Sequence, residues 1–188
     1  MLTRETTIAR CTRRTAAAAL SLIALLGLAA CGDDDGDGGA LASGDGDAAA
    51  TDDGCVLEGA SEAEPDATVD VTLTEFALAP VPAEVTAGAV EFRAVNDGAE
   101  PHEVVIVRYD GDIRELPTDA DGAVDEDQLP DGAVIGEIEG FAGDRTCTGT
   151  FELEPGDYVL LCNIVEDEED GETEAHYAEG MITAFTVV

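Results

Sequence analysis

Lysine and tryptophan are both absent from this chain of 188 residues, and histidine and methionine occur only twice each. Without lysine, the eight basic residues are all arginines, set against 43 acidic residues. A balance this acidic repels nucleic acid and anionic lipid headgroups, so a nucleic-acid partner is excluded. Aromatics make up only 4% of the chain, so the core has to be built from Val, Leu, Ile and Ala; the 45% hydrophobic content supplies enough for one domain with tails. Long amphipathic helical patterns are missing too, which argues against a helical bundle.

Four of the arginines (Arg4, Arg10, Arg13, Arg14) precede an apolar run, AAAALSLIALLGLAA, at 16–30. A positive start followed by an apolar run too short to span a membrane comfortably is the layout of an export signal. The run closes on Leu28-Ala29-Ala30-Cys31-Gly32, which resembles the lipobox of bacterial lipoproteins. That resemblance implies cleavage before Cys31 and a diacylglycerol on its sulfur, placing the protein at the outer face of the cytoplasmic membrane; two acyl chains give stable anchoring. Residues 32–54 (GDDDGDGGALASGDGDAAATDDG) hold one sizeable apolar side chain, Leu41, too little to offset the entropy of ordering. They read as a disordered tether with a reach of roughly 25–30 Å. The expected division is a signal peptide at 1–30, an acidic tether at 31–54 and a folded domain at 55–188. After cleavage, four arginines face 42 acidic residues, a net charge of −38. Such a charge steers cationic partners at low salt; it also suits a salt-rich medium, and the even spread of the acids favours the second explanation.

From Thr68 onward the pattern is that of strands. Val69, Val71 and Leu73 alternate with polar residues, and Phe76 and Leu78 extend the apolar face as far as Pro80. Val90, Phe92 and Ala94 alternate in the same way before the turn signal Asn96-Asp97-Gly98, and 102–109 has the continuous apolar centre of a buried strand. Residues 110–132 read as a solvated excursion with a short helical turn near 125–129. A calcium loop starting at Asp119 is excluded there, because Val124 stands where glycine is needed and Pro130 where a bidentate glutamate is needed. Strands resume at 133–141, 146–153 and 157–163, the last with Tyr158, Leu160 and Cys162 on one face, and the chain ends in a further strand. Frequent strands separated by Gly and Pro turns predict an all-β sandwich.

The rare residues then stand out. A lone histidine after a turn is usually a surface or capping residue, a cysteine in an apolar strand is usually inert core, and a methionine before a strand usually packs. Here, however, His102, Cys162, His176 and Met181 supply two imidazoles, a thiolate and a thioether, the set that copper uses for one-electron exchange in a trigonal site with a weak axial ligand. Of the five cysteines, Cys11 leaves with the signal, Cys31 takes lipid and Cys162 is the metal-ligand candidate. Elimination pairs Cys55 with Cys147 as a disulfide, as expected in an exported protein.

From about Thr68 to the end, the chain resembles the cupredoxins, the blue-copper family of plastocyanin and azurin. The resemblance is carried by Asn96-Asp97-Gly98-Ala99-Glu100-Pro101-His102, by Pro155-Gly156-Asp157-Tyr158 leading to Cys162, and by His176-Tyr177-Ala178-Glu179-Gly180-Met181. It implies a Greek-key β-sandwich holding one type 1 copper, with His102, Cys162 and His176 as equatorial ligands and Met181 axial. It further implies an electron carrier rather than an enzyme, a transient redox partner such as a cytochrome, and an outward route through the ring of His176 near an exposed end of the sandwich. A copper-delivery lipoprotein and an interaction module without copper are the alternatives. The departure from the family is between Cys162 and His176, where thirteen residues intervene, seven of them acidic; they read as a solvated loop.

Overall fold

The computed structural model describes residues 49–50, 54–167 and 173–188. The signal peptide, Cys31 and the tether apart from Ala49, Ala50 and Gly54 lie outside the described residues, as do Glu168, Glu169, Asp170 and Glu172 of the acidic insertion.

The described residues form thirteen strands and one short 3-10 turn at Glu126–Gln128. In chain order the strands are β1 (Ala49–Ala50), β2 (Val56–Glu58), β3 (Ala67–Thr74), β4 (Ala77–Val81), β5 (Glu84–Val85), β6 (Gly88–Asn96), β7 (His102–Arg108), β8 (Val134–Phe141), β9 (Arg145–Leu153), β10 (Gly156–Leu161), β11 (Val165–Asp167), β12 (Thr173–Ala175) and β13 (Ile182–Val187). One sheet has the order β4-β3-β6-β9 and the other β1-β2-β8-β7-β10-β13-β5, with β11-β12 as a separate hairpin. The chain crosses between the main sheets six times, at β2–β3, β4–β5, β5–β6, β6–β7, β8–β9 and β9–β10, which makes a Greek-key sandwich.

Period-2 alternation decides which side chains enter the space between the sheets. Val69, Val71 and Leu73 of β3 and Val90, Phe92 and Ala94 of β6 are fully enclosed while their neighbours face outward. Phe92 meets Phe151 of β9 edge-on at 6.1 Å between centroids and Phe185 of β13 at 5.5 Å, joining the two sheets through aromatic contacts. Cys55, just before β2, is bonded to Cys147 in β9, so a covalent link also crosses the sandwich.

Two expectations are corrected. The apolar face of β3 does not run on through Phe76; the chain turns at Glu75-Phe76 and β4 returns antiparallel, pairing Leu73 with Leu78. A turn of two residues reverses the strand while leaving the apolar spacing almost unbroken, so the pattern reads as continuous. Residues 110–132 are also more than a solvated excursion. Leu116, Val124 and Leu129 are buried against Val105, Val107, Val159 and Leu161, on the face of β7 and β10 turned away from the main core. Those two strands are apolar on both faces, and the far face needs a cover. Near the end of the stretch read as a tether, Ala49 and Ala50 of β1 pair with Leu57 and Val56; backbone pairing at a sheet edge needs no apolar side chain.

Candidate metal centre

Strands β7, β10 and β13 lie side by side and antiparallel, with Leu161 opposite both Val105 and Ile182. The start of β7, the end of β10 and the start of β13 therefore fall at the same end of the sandwich. His102 opens β7, Cys162 follows β10 and Met181 precedes β13. His176 joins them by backbone bonds: its N–H donates to the Ile164 carbonyl at 3.0 Å and its carbonyl accepts from Met181 N at 2.9 Å. The Cys162 N–H donates to the Met181 carbonyl at 3.1 Å, which closes the ring of connections. Between His176 and Met181, Gly180 has φ +103°, a conformation that side chains strongly disfavour and that explains the glycine of this short turn.

The loop presenting His102 is held by Asn96, which is wholly buried. Its Nδ2 donates to the carbonyls of Glu100 at 2.8 Å and Phe141 at 3.0 Å, and its Oδ1 accepts the Gly98 N–H at 2.9 Å. After Cys162, Asn163 ties the site to its surroundings. Its N–H donates to Glu103 Oε1 at 2.7 Å, and its side chain bonds both backbone groups of Val124.

The donor atoms converge. His102 Nδ1 lies 3.2 Å from His176 Nδ1, and Cys162 Sγ lies 3.2 Å from the same nitrogen. The three donors all fall within 4.8 Å of one another, and His102, Cys162, His176 and Met181 are each 0% exposed. Burial lowers the proton affinity of both imidazoles, which favours their neutral forms. It pushes the Cys162 thiol up to about 12, so an incoming metal ion must displace the thiol proton. Two imidazole nitrogens and a sulfur facing one another out of water, with only a single N–H able to sit between the two rings, suit a soft metal ion and little else. The donor set fits copper.

His176 is not at an exposed end of the sandwich. Phe76 packs against its ring at 5.1 Å, and carboxylate oxygens of Glu100 and Glu174 lie within 4.8 Å of one of its ring nitrogens. Part of the cause is the insertion after Cys162, which pairs as a β11–β12 hairpin where a plain solvated loop was expected, and which brings Glu174 to the ring. Several residues of the site escaped the sequence reading. Phe76 and Glu75 were hidden by the unrecognised turn; Asn163 and Glu103 carried no spacing signal; Asn96 was visible only as a turn residue.

Beside the site, carboxylates of Glu103, Glu137 and Glu139 gather within 4.8 Å of one another. Burial, then the neighbouring acids, raise Glu137 to about 8, and burial raises Glu103 to about 7. A carboxyl with a raised pKa in the folded state favours folding while protonated, and that contribution is lost as pH rises from about 4.5 through about 8. Glu137→Gln should therefore match the parent in urea denaturation at pH 5 and exceed it at pH 9; an equal difference at both pH values would contradict this.

No protein-family model matches the chain, and no curated protein does. Among solved structures, it is similar to auracyanin B, at 21% identity over 69% of this chain and 94% of that one, with a TM-score of 0.49. It is also similar to dithionite-reduced auracyanin from Roseiflexus castenholzii, at 23% identity over 66% and 99% of the two chains and a TM-score of 0.47. A third is auracyanin A from Chloroflexus aurantiacus, a "blue" copper protein, at 21% identity over 64% and 98% and a TM-score of 0.40. These likenesses are distant, and the chemistry of the centre is decided by the side chains that meet there.

Proposed function

We propose that this protein is a lipid-anchored electron carrier with a single type 1 copper, working at the outer face of the cytoplasmic membrane. The observation that carries this reading is the convergence of His102 Nδ1, His176 Nδ1 and Cys162 Sγ at one fully buried point. His102, Cys162 and His176 would hold the ion with Met181 as the weak fourth ligand, and copper bound there supplies reversible one-electron exchange. Four protein donors leave no open position for a substrate, which favours a carrier over an enzyme. The backbone bonds among Cys162, His176 and Met181 tie these three donors to one another, which favours low reorganisation.

The residues also suggest how charge reaches the surface. Phe76, only partly buried, packs against the His176 ring at 5.1 Å, so the way out runs through that ring. The partner is a redox protein with a basic docking face, such as a cytochrome, attracted by the acidic surface. The lipid on Cys31 keeps the domain near the membrane, where such partners are concentrated.

Reconstitution of the metal-free protein with Cu(II) tests the reading. The expected result is an intense visible thiolate-to-copper charge-transfer band that vanishes in Cys162→Ser. Colourless, readily exchanged Cu(I) would point to metal delivery instead, and binding of neither ion would leave an interaction module. If electron-transfer rates with a basic partner do not change with ionic strength, electrostatic docking is ruled out.

A further inference from the structure

The outer nitrogen of His102 faces a carboxylate that is itself fixed by the loop presenting the histidine. Nδ1 is turned toward the donor cluster, and Nε2 is fully buried with no hydrogen-bond partner among the described residues. Glu75 Oε1 lies 3.4 Å from it. The same oxygen accepts the backbone N–H of Ala99 at 2.6 Å and that of Glu100 at 2.9 Å, the two residues just before Pro101-His102. Those two bonds fix the carboxylate oxygen beside the ring. Gly98 is shaped to this arrangement, since a Cβ there would collide with Glu75 Oε1. The pairing of β3 with β6, which sets Leu73 beside Asn96 with the Asp97 N–H donating to the Leu73 carbonyl at 2.9 Å, delivers Glu75 to the loop.

We infer that Glu75 is a positioning residue for the metal centre, accepting the Nε2 proton of His102 so that Nδ1 is presented to the ion, and placing a fixed negative charge behind that ligand. Metal-bound histidines commonly pass their other N–H to a carboxylate or carbonyl, which sets the tautomer and makes the ring a stronger donor. The outer nitrogen of His176 also has no hydrogen-bond partner among the described residues, and Glu100 Oε2 stands farther from it, at 3.9 Å. The two histidines differ in that the oxygen facing His102 is held by two backbone N–H groups of the loop that presents it. A negative charge behind His102 favours Cu(II) over Cu(I). This electronic consequence rests on the copper reading; the tautomer does not.

Two measurements on the full chain separate these claims. In the metal-free protein, nitrogen-15 NMR should show His102 protonated at Nε2. Glu75→Gln, which keeps an acceptor oxygen, should preserve that state, and Glu75→Ala should yield a mixture of tautomers. With copper bound, Glu75→Gln should retain the visible band while weakening the preference for Cu(II) over Cu(I) about tenfold, equivalent to a rise of about 59 mV in reduction potential. A parent protein protonated at Nδ1 of His102, or a Glu75→Ala variant with the parent's tautomer, overturns the positioning role even if copper never binds. A Glu75→Gln potential unchanged from the parent overturns the electrostatic role while leaving the copper centre itself intact.

Discussion

Replacing Cys55 and Cys147 together by alanine is expected to lower the unfolding free energy by roughly 4–5 kcal/mol, the largest effect of any change discussed for this protein. The bond spans 92 residues of sequence, and a loop of that size loses a large amount of conformational freedom in the unfolded chain when it is closed. Position adds to the effect of length. Cys55 enters the sheet that carries β7, β10 and β13, whereas Cys147 sits in the other sheet, opposite Ala94 of β6. Both sulfurs are buried, at 2% and 0% exposure, so alanine also leaves small voids in the core. Urea denaturation of the parent and the double variant measures the difference directly. A loss below about 1 kcal/mol would mean that the sandwich closes without help from the bond.

The second large effect is expected at Asn96. Alanine there abandons the carbonyls of Glu100 and Phe141 and the N–H of Gly98 inside a fully buried pocket. At about 1 kcal/mol or more for each group left without its partner, the loss comes to roughly 3 kcal/mol. The functional consequence differs from that of the disulfide, because these bonds shape the loop between β6 and β7 that sets His102. The Asn96→Ala variant should therefore surrender copper to a chelator at least about tenfold faster than the parent, a loss typical of removing outer support from a metal ligand. Cys55→Ala/Cys147→Ala, compared under conditions where both variants are folded, should hold copper nearly as well as the parent. Equal copper loss in the two would show that global stability, and not the His102 loop, governs retention.

These two positions differ in how visible they are along the chain. The cysteine pairing follows from counting thiols, since each of the other three has a separate role assigned to it. Asn96 is recognisable as a turn former, but nothing in its neighbourhood announces that its side chain will reach Phe141, 45 residues away. Glu75 is further hidden. A glutamate after alternating apolar residues reads as the solvent face of a strand, and only the reversal into β4 and the parallel pairing of β3 with β6 bring it to His102.

The acidic insertion after Cys162 combines both kinds of information. Its charge is plain from composition, and its tolerance by the fold follows from the slow growth of loop entropy with length. That Val165–Asp167 and Thr173–Ala175 pair, and that Glu174 comes to lie against His176, depend on where the strand ends of the sandwich place the two halves of the insertion.

The sequence by itself determined the strand-rich class, through alternation at 69–73 and 90–94, and it named the donor types and their order: His102, Cys162, His176 and Met181. Both are local or compositional properties, because side chains alternate along any strand and rare residues can be counted without knowing the fold. Only the tertiary structure decided that His176 is enclosed, that Leu116, Val124 and Leu129 cover the outer face of β7 and β10, and that Glu75 stands behind His102. Each of these depends on pairing between segments distant in sequence, and that register is set by the packing of whole sheets rather than by the residues that end up in contact.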